Sequence, residues 1–185
     1  LSNSAKKVIE RIQTKRATKL SKRFTNIENQ RLVRLTYEWL DKEKKRSDFR
    51  VKGIEVEGKI NLGGLSLTTR LDRVDMLNDG RLIIIDYKTG ESKITTMCGE
   101  RPDEPQLPLY LLASQSDAAS AVVFAQVKTG KMKFKALARD SDLLPSVKAD
   151  PEWEQLIVSW RTDLTRIAES FSKGDAKVSP KKYPE

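Results

Sequence analysis

Apolar positions in the first quarter of the chain recur at helical spacing. In residues 4–24, "SAKKVIERIQTKRATKLSKRF", Val8, Ile9, Ile12 and Leu20 form a rough stripe among eight Lys or Arg and one Glu, which predicts a basic helix. Leu32, Leu35, Tyr37 and Leu40 then predict a second helix, capped by Asn26, running to about Arg46 and packing its stripe on a sheet. From Phe49 the period becomes two. "FRVKGIEVEGKI", "LSLTTRLDRVDML" and "RLIIIDYK", separated by "NLGG" and "NDG", predict an antiparallel meander. "DEPQLPLYLLASQ" predicts a helix with Pro108 in its first turn or at a kink. Residues 121–128 and 131–137 predict a hairpin turning at Thr129 and Gly130. A closing helix is predicted from Pro151, with Trp153, Leu156, Ile157, Trp160 and Leu164 at helical spacing. The tail from Ser172 reads as loosely ordered.

No repeat, heptad array or linker divides this pattern, so it predicts a single α/β domain with a central sheet, mixed or antiparallel, flanked by helices. Residues 1–48 supply helices that pack on a core of residues 49–172, and residues 173–185 form the tail. At 185 residues the chain can bury a real core. It has no apolar run near the roughly 18 residues a membrane span needs, so no membrane partner is expected and the protein reads as soluble and cytoplasmic. Its start at Leu1 rather than Met predicts a fragment of a longer polypeptide.

Cysteine and histidine counts narrow the chemistry. One cysteine, Cys98, and no histidine exclude an internal disulfide, a Cys/His zinc site, a cysteine-held iron–sulfur cluster and a histidine triad. A metal would be held by oxygen. Lys and Arg number 35 against 26 Asp and Glu, a net charge of +9, which suggests an anionic partner with nucleic acid first.

The stretch "LIIIDYKTG" concentrates the candidate chemistry. Residues two apart on a strand share a face, so Asp86 and Lys88 point one way, and Ile85 and Tyr87 the other. A three-residue loop of Asn78, Asp79 and Gly80, with Gly80 left-handed, puts Asp72 opposite Asp86; a two-residue turn would set it opposite Tyr87. The three-residue register is the one expected. Two opposed carboxylates repel unless neutralised, and Mg²⁺, which favours oxygen ligands and takes one or two carboxylates, would neutralise them. Phosphodiester hydrolysis is the natural chemistry, with Lys88 orienting a water or stabilising phosphate charge. Gln106 and Tyr110, four apart, share a helix face that could present an amide and a phenol. Asp75 lies on the opposite strand face from Asp72 and reads as structural. Lys131, Lys133 and Lys135 alternate along one strand and make a candidate phosphate-tracking face.

These residues resemble a known family. "TRLDRVDMLNDGRLIIIDYKTG" followed by "ERPDEPQLPLY" looks like the nuclease core of the PD-(D/E)XK superfamily in its RecB-type branch, most like the C-terminal nuclease domain of AddB-like bacterial DNA repair proteins. The resemblance implies a restriction-endonuclease-like core and a Mg²⁺- or Mn²⁺-dependent deoxyribonuclease, an exonuclease ahead of an endonuclease, in recombination or repair. It implies metal ligation by Asp72, Asp86 and the Tyr87 backbone carbonyl, with Glu55 as a further candidate. Lys88 is implied as the catalytic lysine, and Gln106 and Tyr110 as the motif that contacts DNA and supports the site. DNA, and helicase domains of the same or another chain, are the implied partners. The chain departs from the RecB-type pattern in having no histidine, and from AddB-like subunits in lacking four cysteines, so no iron–sulfur cluster is expected. The alternatives are a catalytically silent DNA-binding module and a partner-docking domain of a helicase–nuclease.

Overall fold

The computed structural model describes residues 1–15, 20–114, 117–175, 177–178 and 180–181. It divides into two compact units, Leu1–Lys45 with Val127–Lys133, and Arg46–Gln126 with Phe134–Glu185.

In the smaller unit, α1 (Ser2–Lys15) and α2 (Lys22–Glu43) replace the two expected helices with different bounds. Residues 16–19, where the first helix was expected to continue, lie outside those described. The cap of α2 is Ser21, not Asn26: Ser21 is extended and its hydroxyl accepts the Phe24 N–H at 3.2 Å, so Asn26 falls inside a helix already begun. The buried line is Leu35 and Trp39, spaced by four, with Tyr37 and Leu40 exposed beside it.

The larger unit carries a five-stranded sheet in the order β1 (Phe49–Leu62), β2 (Leu65–Leu77), β3 (Leu82–Lys88), β4 (Ala119–Gln126) and β5 (Lys133–Ala138). β1, β2 and β3 form the expected antiparallel meander, while β4 runs parallel to β3. Both central strands are almost continuously apolar because both of their faces are covered, with Ile83, Ile85, Val123 and Ala125 wholly buried. β5 starts later than expected: Lys131 donates its N–H to the Lys128 carbonyl in the preceding turn and so precedes the strand.

Two helices cover the face that matters for the site. α3 (Gln106–Ser114) has Pro108 in its first turn, where a missing N–H costs nothing. α4 (Trp153–Ser172) buries Trp153, Trp160, Leu164 and Ala168. The rings of Trp153 and Trp160 meet edge to face at 6.5 Å, and the Trp160 indole N–H donates to the Met97 carbonyl at 2.7 Å. That bond fixes a short 3-10 turn, Ile94–Met97, between β3 and α3. The tail expectation falls in part on residues outside those described. Among the described residues, no helix is long and apolar enough to cross a membrane.

The β1–β2 connection shows where backbone freedom is needed. Leu62 pairs with Leu65 across Gly63 and Gly64, whose φ angles of 54° and 84° suit a two-residue hairpin. A Cβ on Gly63 would stand 2.5 Å from the Glu169 backbone nitrogen of α4, whereas a Cβ on Gly80, at φ 90°, would meet nothing within 4 Å. Gly80→Ala is therefore expected to lose about 1–2 kcal/mol from backbone strain alone. Gly63→Ala should lose a further ~1–3 kcal/mol from the clash with α4. Urea unfolding of both variants checks the order, and equal losses would contradict the packing described.

Candidate active site

The β2–β3 pairing runs from Met76 with Leu82 to Arg73 with Ile85. One further step brings Asp72 opposite Asp86, the register expected from the three-residue loop, and Gly80 has the left-handed φ that loop requires. Pairing does not continue there. The β1–β2 pairing likewise passes from Ile54 with Arg73 to Val56 with Leu71, so Glu55 and Asp72 are skipped on that side too. Glu55 has φ 51°, an uncommon conformation for a residue with a side chain. The sheet is thus locally unzipped around Asp72, and the Tyr87 N–H donates to Asp72 Oδ2 at 2.7 Å. Such breaks re-aim side chains and open space beside a sheet.

Asp86 is the buried acid of the set, 5% exposed. Burial pushes its carboxyl above the usual carboxylate range; the nearby negative charges of Asp72 and Glu104 push the same way, and Lys88 opposes them. The Lys88 ammonium bridges two acids, Asp86 Oδ2 at 2.9 Å and Glu104 Oε2 at 2.8 Å, and lies 5.2 Å from the centre of the Phe124 ring. Burial works against its charge, but the bonds to Glu104 and Asp86 outweigh it and hold the ammonium pKa above its ordinary value.

Glu104 is the residue that sequence reasoning missed. It lies in an irregular loop, and no periodicity marks it; its nearness to Gln106 was the only available signal. The loop is pinned by the Glu104 N–H, which donates to the Thr96 carbonyl at 3.0 Å beside the turn that Trp160 holds.

Gln106 and Tyr110 do share a face of α3, and it presses on the first hairpin. Gln106 Nε2 donates to the Arg70 carbonyl at 2.5 Å, two residues before Asp72. The Tyr110 ring packs over Gly58, and burial raises its phenol pKa. The other candidates are placed less centrally. Glu55 lies across the hairpin from Asp72, but its carboxylate meets Arg70 at 2.6 Å on the exposed surface. Lys131 and Lys133 are exposed, while Lys135 donates from Nζ to the Ser92 carbonyl. Asp75 is structural, as its strand face implied: it is wholly buried and bound to Arg46 and Arg73.

The donor set fits a hard divalent cation. It is all oxygen, and Asp86 is held away from water near two other acids, a charge arrangement that a cation relieves. Among the described residues no group of three or more Asp, Glu or Cys is arranged to hold a metal. A cation here would therefore rest on Asp72 and Asp86 and complete its shell with backbone carbonyl and water, as Mg²⁺ commonly does.

No curated protein matches this chain. Among solved structures, one described as the crystal structure of SSO0001 is similar at 16% identity and a TM-score of 0.36, over 81% of this chain. The chain spans 60% of that protein's length. Residues 1–183 match the PD-(D/E)XK nuclease superfamily, and with nearly the whole chain inside that match, the chain belongs to this superfamily.

Proposed function

We propose that this member of the superfamily is a Mg²⁺- or Mn²⁺-dependent deoxyribonuclease of the RecB type, similar to AddB-like nuclease domains and acting in recombination or repair as an exonuclease. The observation that carries the reading is the meeting of Asp72, in the middle of β2, with Asp86 and Lys88 at the end of β3, where β2–β3 pairing has stopped. When bound, the cation supplies Lewis acidity and lowers the pKa of a water beside it. Asp72, Asp86 and the Tyr87 carbonyl would hold it. Lys88, charged and already placed beside Asp86, stabilises negative charge developing on the phosphoryl group. Glu104 keeps that ammonium oriented toward the acids. Gln106 and Tyr110 lock α3 to the hairpin that carries Asp72, and are proposed to contact the DNA strand as well. Lys131, Lys133 and Lys135 offer a further contact to phosphates.

A second reading draws on Glu104. Because this carboxylate occupies Lys88, the domain could bind DNA or a helicase partner without cutting. Incubation with end-labelled linear DNA and Mg²⁺ or Mn²⁺ decides between them. The parent chain is expected to release labelled nucleotides from the ends, and Asp86→Ala and Lys88→Ala to lose at least 10²-fold in rate. A parent chain that binds DNA and cuts none would favour the second reading.

The buried acid also carries a cost to stability. Unfolded, Asp86 ionises at its ordinary pKa, whereas folded it keeps its proton to higher pH, so stability falls as pH rises through that window. Without divalent cations at neutral pH, Asp86→Asn should melt about 2–4 °C above the parent, the shift expected for ~1 kcal/mol in a chain of this size. The difference should vanish below the ordinary carboxylate pKa. A lower Tm for the variant at neutral pH would contradict this.

The lysine face is tested by salt. Replacing Lys131, Lys133 and Lys135 with Ala should reduce the slope of log affinity against log salt by about one for each lysine that meets a phosphate. An unchanged slope would remove these residues from the DNA path.

A further inference from the structure

We infer that the guanidinium pair of buried Arg46 and partly buried Arg73, on the sheet face opposite the acids, positions the metal ligands through Tyr87; this rests on the reading of Asp72 and Asp86 as ligands. Tyr87 is held from both faces. Its backbone N–H donates to Asp72 Oδ2 at 2.7 Å, and Arg73 Nη1 donates to its phenol oxygen at 2.9 Å. Arg73 also forks onto Asp75 at 2.6 and 2.9 Å, and Asp75 Oδ2 takes Arg46 Nη1 at 2.7 Å. The side chains of Arg46 and Asp75 are wholly buried. The Arg46 guanidinium lies 3.8 Å from the centre of the Phe49 ring, and that of Arg73 lies 5.1 Å from the same ring.

An ion cluster packed into the interior is a poor means of stabilising a fold, because apolar residues of similar volume commonly do as well or better. What the cluster supplies is direction. A guanidinium forked onto a carboxylate has one favoured geometry, and Arg73 passes it to the phenol. The need for it is visible in the strand pairing. Regular pairing between β2 and β3 stops at Arg73 with Ile85, while β4 stays paired with β3 through Lys88, so the contact left without regular backbone pairing is the one between Asp72 and the β3 end that bears Asp86 and Tyr87. The brace begins at the residue where pairing ends. If β2 shifted against β3 beyond the last pair, Tyr87 would lose both its phenol bond to Arg73 and its N–H bond to Asp72, and the two carboxylates would part.

The test is Mn²⁺ affinity, read from the electron paramagnetic resonance signal of free Mn²⁺, for the parent chain, Tyr87→Phe and Ile85→Val. Tyr87→Phe keeps the ring and removes the oxygen that meets Arg73. Outer-shell contacts of this kind commonly change metal affinity 10–100-fold, so the variant is expected to bind Mn²⁺ about tenfold more weakly. Ile85→Val trims the same buried strand without touching the brace, so it should bind as the parent does while losing thermal stability. Equal affinity in Tyr87→Phe and the parent would overturn the brace while leaving the metal site standing. Parallel loss in both variants would also overturn it, since the effect would then follow strand stability. If the parent chain fails to bind Mn²⁺, the reading of Asp72 and Asp86 as ligands fails, and the brace fails with it.

Discussion

At one point in the sheet a side chain accepts a bond that strand pairing would ordinarily give to a backbone carbonyl. The Tyr87 N–H goes to the carboxylate of Asp72, because β2 and β3 cease to pair at Ile85, two residues earlier. A buried N–H without an acceptor costs about 1–3 kcal/mol, so some group had to fill the place. That it is a carboxylate brings negative charge beside Asp86, and the rest of the site follows. Asp86 is pushed toward its neutral form, Lys88 is drawn in to compensate, and Glu104 is brought to the other side of Lys88 by a loop anchored on α4.

The packing around this point fits a single purpose. α3 does not merely cover the sheet; Gln106 satisfies the Arg70 carbonyl and Tyr110 closes over Gly58, so both strands of the first hairpin are held against it. The cluster of Arg46, Asp75 and Arg73 holds the opposite face. Under the proposed function, the site must keep like charges close before a cation or a phosphate arrives. Rigid support on both sides is what permits that, at a cost in stability that functional sites commonly carry.

Much of this could be read from residues alone, and the reasons are local. The bounds of β2 followed from alternation, and Gly80 fixed the loop length that put Asp72 opposite Asp86. Asp75 was placed on the far face by the same period of two. Its partner Arg46 was not foreseen, because that contact joins residues 29 apart and depends on how the chain enters β1. Glu104 escaped for a related reason: an ion pair between a strand end and an irregular loop leaves no periodic trace. The cap at Ser21 was missed because two capping residues stand five apart and only the backbone shows which is extended. The lysine stripe was drawn too regularly, since a turn removes Lys131 from the strand and Lys135 bends to a carbonyl.

The end of β3, where pairing with β2 stops, is proposed as a divalent-cation site. Anomalous diffraction from crystals of this chain grown with Mn²⁺ tests it most directly. A peak is expected within coordination distance, about 2.0–2.4 Å, of both the Asp72 and Asp86 carboxylates, with the Tyr87 carbonyl beside it. A well-ordered site in which Lys88 still fills the space and Mn²⁺ is bound elsewhere, or not at all, would contradict it.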